Sequence, residues 1–171
     1  MKRYPACLLA VLCVLSLLVF PAEAAAPKVI GKVLTTDIRA YINGAEIPAY
    51  NIDGNMVIVG SDLRSYGFSV VYNNDTRTSS VTLPANGGKW EPMTNITRYS
   101  TIGEKVMDVY ATDIKVLING TEVQAFNVDN KMAFRFNELK VFGSYQYRRT
   151  RICGMQYVEI SYHPGLRDRH K

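Results

Sequence analysis

From Ile38 to Ile42 the chain alternates, with Ile38, Ala40 and Ile42 on one side and Arg39 and Tyr41 on the other, the two-residue period of a half-buried strand. Asn43-Gly44 follows, a pair that accepts the positive backbone angles of a tight two-residue hairpin, and Ile47 with Ala49 begins the return strand. Asp53-Gly54 predicts a second turn, leading into a third strand from Met56 to Val59. The segment Ser61 to Tyr66 then predicts one or two helical turns, with Ser61 placed to accept backbone donors as N-cap and Gly67 free to take the left-handed conformation at the exit. Two further strands, Phe68 to Tyr72 and Arg77 to Leu83, flank the turn Asn73-Asn74-Asp75. The predicted order is β-β-β-α-β-β.

The same pattern returns 76 residues later. Thr36-Asp37-Ile38-Arg39-Ala40-Tyr41-Ile42-Asn43-Gly44 recurs as Thr112-Asp113-Ile114-Lys115-Val116-Leu117-Ile118-Asn119-Gly120, and the match runs without a gap through Asn51/Asn127, Asp53/Asp129, Met56/Met132, Leu63/Leu139 and Gly67/Gly143. The second turn carries Asn130 in place of Gly54, the next best residue for the left-handed region. Two units are therefore expected, a first copy over 29–84 and a second over 104–162, joined by a linker over 85–103. Each holds about 57 residues, a size at which a lone core is marginal, so the two are expected to pack on each other or on a partner. Leu63 and Leu139 are expected at equivalent core positions, with the second helix over Asn137 to Phe142. The fold class is α+β, two tandem small domains.

The first 24 residues stand apart. Lys2 and Arg3 precede an apolar run from Ala6 to Phe20, closed by Pro21 and the small-residue box Ala22-Glu23-Ala24. This is the pattern of a cleaved secretory signal peptide, with Ala26 as a second possible cleavage point. About 15 apolar residues fall short of the roughly 20 that span a bilayer, so no membrane anchor is expected after cleavage. Cleavage removes Cys7 and Cys13 and leaves Cys153 alone, which excludes an intramolecular disulfide and suits bacterial export; Cys153 reads as a small buried hydrophobe. The 20 Lys and Arg less Lys2 and Arg3, and the 15 Asp and Glu less Glu23, leave a net charge of +4. That excess lies in the second half, whose last hairpin carries Arg148-Arg149-Thr150-Arg151. Residues 163–171 read as a disordered tail.

Three spaced motifs, each met twice, carry a family resemblance. Asp37 to Gly44, Ile47 to Gly54 and Asp62 to Val70, with a weaker copy from Asp113 to Gly143, resemble the copper amine oxidase N-terminal-like (stalk) domain found repeatedly in exported proteins of Gram-positive, spore-forming bacteria. The resemblance implies, for each copy, a five-stranded antiparallel sheet curled around a short helix. It implies no amine oxidase chemistry, because the stalk domain is an appendage to the catalytic domain. The oxidase needs three histidines on copper and a quinone-forming tyrosine in an Asn-Tyr-Asp/Glu setting. Here the histidines are His163 and His170 alone, and Tyr50-Asn51 runs in the wrong order.

No serine-hydrolase elbow, phosphate loop, Cys-x-x-Cys or His-Glu-x-x-His occurs. Asp37/Asp113 and Asp53/Asp129 sit at strand ends and turns, where a carboxylate satisfies local backbone donors. Asn51, Asp53 and Asn55 copy the alternating oxygens of a calcium loop, but Met56 stands where such a loop needs glycine. No catalytic residue, cofactor or metal is expected. The candidate binding residues are Arg148, Arg149 and Arg151 with Tyr145 and Tyr147, a basic and aromatic cluster suited to an anionic polymer. Outside a Gram-positive cell that polymer is teichoic acid or peptidoglycan, not nucleic acid. Arg39 lies in the neutral first copy, and its replacement by glutamine is expected to change binding little. Trp90 reads as a carbohydrate-stacking platform or as a contact between the two units. The functional expectation is a secreted, non-enzymatic module that binds or spaces the cell envelope, with a regulator or small accessory subunit of a cell-wall hydrolase as the alternative.

Overall fold

The computed structural model describes residues 27–149 and 155–162, without the side chain of Arg149. The signal-peptide reading, Arg151, Cys153, both histidines and the 163–171 tail lie outside the described residues. In the first copy the strands are β1 (Val29–Leu34), β2 (Arg39–Ile42), β3 (Ala45–Ile47), β4 (Ala49–Ile52), β5 (Asn55–Val59), β6 (Ser69–Asn73) and β7 (Thr78–Thr82). The second copy supplies β8 (Lys105–Tyr110), β9 (Lys115–Ile118), β10 (Thr121–Val123), β11 (Ala125–Val128), β12 (Lys131–Arg135), β13 (Ser144–Arg149) and β14 (Gln156–Ser161). A 3₁₀ helix follows the fifth strand of each copy, Gly60–Ser65 and Phe136–Val141.

The turns form as the residues dictate. Asn43 and Gly44 have φ of 47° and 80°, Asp53 and Gly54 50° and 78°, and in the second copy Asp129 and Asn130 reach 50° and 57°. Gly67 takes φ 83° at the exit of the first helix.

The α+β class with its two five-stranded, helix-centred sheets is overturned. The protein is mainly β, only 9% helical, and has no helix of seven or more residues among those described. Six residues are too few to repay the nucleation of an α-helix, so each segment winds as 3₁₀. Ser61 is inside the first helix and makes no cap bond; its hydroxyl faces Asp62 instead. The strands β1 and β8 lie outside the predicted order; in β1, Ile30 and Leu34 blur the two-residue alternation.

Nor does each copy close its own sheet. A closed antiparallel barrel runs β1-β4-β5-β12-β11-β8, taking three strands from each copy. Two four-stranded sheets flank it, in the orders β10-β9-β7-β6 and β13-β14-β2-β3. In each, a hairpin of one copy joins a hairpin of the other through a parallel pair, β7 with β9 and β14 with β2. The Asn-Gly turns lock this exchange. The Asn43 amide donates to the Ile160 carbonyl and the Asn119 amide to the Val81 carbonyl, both at 2.9 Å, and Asn43 Oδ1 accepts from Tyr162 N at 2.7 Å.

One core joins Ile42, Leu63, Tyr66 and Phe68 of the first copy to Ile118, Leu139, Phe142 and Ile160 of the second, with Leu63 and Leu139 both fully buried in it. A smaller core, including Val33, Ile52, Val109 and Val128, fills the barrel.

Candidate functional site

The predicted cluster is split by the pleat of β13. Successive side chains of a strand point to opposite faces, so Tyr145 and Tyr147 share one side and Arg148 lies on the other. The Tyr147 hydroxyl bonds Gln156 Oε1 and stays more than half exposed, while Tyr145 tilts against Phe136 with ring centroids 6.4 Å apart. Arg148 bonds Gln146 Oε1 on its own face. Arg149 is described only as a β13 backbone position, paired with Gln156.

The company that Arg148 keeps comes from elsewhere. Its register partner on β14 is Tyr157, whose own partner on β2 is Arg39. One step along, Gln146, Glu159, Tyr41 and Glu46 form the next row across β13, β14, β2 and β3. The outer face of this sheet therefore carries Arg148, Tyr157, Arg39 and Tyr41 together, with the two tyrosine rings edge-to-face at 5.5 Å. Two strand spacings of roughly 4.8 Å put the two arginine backbones about 10 Å apart. Although Arg39 belongs to the first copy and Arg148 to the second, the parallel pairing of β14 with β2 brings them onto one face.

Acids on this face are already engaged. Glu46 pairs with Arg98 at 2.8 Å and with Arg39 at 4.0 Å, and Glu159 accepts from the Gly44 amide at 3.1 Å. Arg148 has no ion pair among the described residues. A cleft of about 220 Å³ beside Arg39 is lined by Asp37, Glu46, Arg98 and Tyr99, where the linker crosses the sheet edge.

Trp90 neither buries between two units nor stands free. Its backbone bridges Tyr66, its indole meets the Tyr66 ring edge-on at 6.0 Å, and it remains 44% exposed. The strap that holds it is a close approach of two glycines: a Cβ on Gly88 would lie 2.4 Å from the Gly67 carbonyl oxygen. Bonds from Gly67 N to Lys89 O (3.0 Å) and from Glu91 N to Ser65 O (2.9 Å) complete it. Tyr66 spans this region, donating its hydroxyl to the Glu46 carbonyl, and burial raises its pKa.

The oxygen-rich turn from Asn51 to Asn55 uses its oxygens locally, Asn51 Oδ1 accepting from Gly54 N and the Asp53 carbonyl from Asn55. Asp113 pairs with Arg77, and that hydrogen bond holds its carboxyl below the usual range. Among the described residues no three His, Cys, Asp or Glu side chains gather to hold a metal. Arg39, Tyr41 and Tyr157 are the site residues that sequence reasoning missed. Their strand alternation was legible, but the partner strand was not. No family model, curated protein or solved structure matches the chain.

Proposed function

We propose that the chain is a secreted, non-catalytic module of the cell envelope, akin to the stalk-type domains its motifs resemble, and that it binds an anionic wall polymer through the outer face of the β13-β14-β2-β3 sheet. The observation that carries this reading is the row Arg148, Tyr157, Arg39 across three strands, backed by Tyr41, in which Arg148 has no acidic partner among the described residues. Arginine forks suit phosphate and carboxylate, and exposed tyrosine rings give sugar or polyol backbones an apolar surface to lie on. Export by the leader would deliver this face to such polymers.

The test is co-sedimentation with purified wall sacculi, with and without their teichoic acid. Attraction between exposed charges weakens as salt shortens the screening length from about 10 Å at 0.1 M to about 3 Å at 1 M. Binding is expected to fall across that range, and to be lost in the double variant Arg39→Gln/Arg148→Gln. Retention by stripped sacculi points to peptidoglycan carboxylates, and retention only by intact sacculi points to teichoic phosphates. Binding that ignores both salt and the double variant refutes the reading.

A further inference from the structure

Beside the first 3₁₀ helix lies a cavity of about 330 Å³, walled by Val70, Tyr72, Ile114 and Met132. The size falls within the range of small-molecule sites. Its origin is visible in the repeat. Val70 pairs with Val81, which pairs with Ile118; in the other half Tyr145 pairs with Ile160, which pairs with Ile42, 76 residues before Ile118. Tyr145 is thus the counterpart of Val70, and Phe136 is the counterpart of Gly60. The second half fills this region with the Phe136–Tyr145 ring pair. In the first half the two aromatic rings are replaced by a hydrogen and an isopropyl group. Met132 reaches over Gly60, where a Cβ would come within 2.4 Å of its terminal methyl, and the rest of the space stays open.

The cavity's polar lining is Ser61, Arg64, Ser79 and Lys131 beside the Tyr72 hydroxyl. Ser79 is 3% exposed and lines the cavity, and its counterpart Val158 is apolar. At the mouth stand Ser61, Arg64 and Lys131. The Arg64 guanidinium donates to the Val70 carbonyl at 3.1 and 2.8 Å, which fixes it at the rim with further N–H donors to spare. Among the described residues no carboxylate lines the cavity. Asp62 feels the charge of Lys131 without reaching ion-pair distance.

From this combination we infer that the cavity binds a small aromatic carboxylate. The ring takes the space that an aromatic side chain fills in the other half, against Val70, Ile114 and Met132. Ser79 bonds a polar substituent at the inner end, and Lys131 with Arg64 holds the carboxylate at the mouth. This site is separate from the polymer-binding face.

The test is ligand-detected NMR on the purified protein with three probes: 3-phenylpropanoate, its amide, and octanoate. The carboxylate is expected to bind about tenfold more tightly than the amide and more tightly than octanoate. Val70→Tyr imports the residue that the same position already accepts in the other half, and should lower affinity at least about tenfold with an unchanged melting temperature. Should that variant fail to fold, Lys131→Gln serves, and it should erase the preference for carboxylate over amide. Arg39→Gln/Arg148→Gln should leave all three affinities as they were. Binding that survives Val70→Tyr in a folded protein, equal affinity for the acid and its amide, or octanoate binding as tightly as the ring acid each overturns the inference.

Discussion

The two flanking sheets are built from the same sequence unit in opposite order, and their faces differ. In both, a hairpin from one copy meets a hairpin from the other in parallel, and the inward residues agree at all but one of four positions: Ala40, Ile42, Ile160 and Val158 in one, Val116, Ile118, Val81 and Ser79 in the other. Outward, β13-β14-β2-β3 shows Arg148, Tyr157, Arg39 and Tyr41, whereas β6-β7-β9-β10 shows Val71, Thr78, Ser80, Lys115 and Leu117. A shared core kept both sheets in one register, and the outer positions were free to diverge. Chemistry confined to one of two equivalent faces is therefore not dictated by packing, which is why the tyrosine and arginine row is the better candidate for a binding role.

The severest way to break the comparison is to separate the copies. Each half alone lacks the strands that close the barrel and complete both sheets. Residues 27–92 and 93–162 made as separate chains are expected to show no cooperative melting alone and to regain one when mixed. A sharp monomeric transition in either half would show that the exchange is dispensable.

Next in size, Leu63→Ala and Leu139→Ala probe the equivalence of the halves within the common core. Each should cost about 2 to 5 kcal/mol in chemical denaturation, as fully buried leucines do. A loss at one and silence at the other would make the core one-sided.

Tyr162 belongs to that core and has a titration to match. Burial pushes its pKa up to about 12, and its hydroxyl bonds the Tyr66 carbonyl. The native state holds this proton more tightly than the unfolded chain does, so the associated stability is intact below pH 10 and is lost as pH rises towards 12. The loss should be on the order of 3 kcal/mol, from a shift of about two pKa units. Tyr162→Phe should flatten this alkaline limb, and an unchanged limb would assign it to other groups.

The smallest effect on stability, and the sharpest on the comparison, is expected at the surface. Arg148→Gln and the opposite-face Lys115→Gln should each shift stability by less than about 0.5 kcal/mol. Only the first should weaken retention on wall sacculi. Equal losses would spread binding over both faces.

What could be read along the chain were the features whose causes are local. The Asn43-Gly44 and Asp53-Gly54 turns, the left-handed Asn130, the burial of Leu63 and Leu139 and the 76-residue repeat depend on a few neighbouring residues and on a period of two. The helix type failed for a local reason too, since six residues are too few for an α-helix. The candidate cluster is divided for a different one. Adjacency in Tyr145-Gln146-Tyr147-Arg148 is not proximity, because the pleat sends neighbours to opposite faces.

Apart from β1 and β8, the sequence by itself determined the strands, their turns and which side of each is apolar, because backbone sterics and burial act residue by residue. It left open which copy each strand would pair with. A repeat presents every strand edge with two nearly identical partners, and the hydrophobic pattern is satisfied by either. Only the tertiary structure decided for exchange, since β14 beside β2 and β7 beside β9 draw two marginal cores into one. That same choice set Arg39 beside Tyr157 and Arg148.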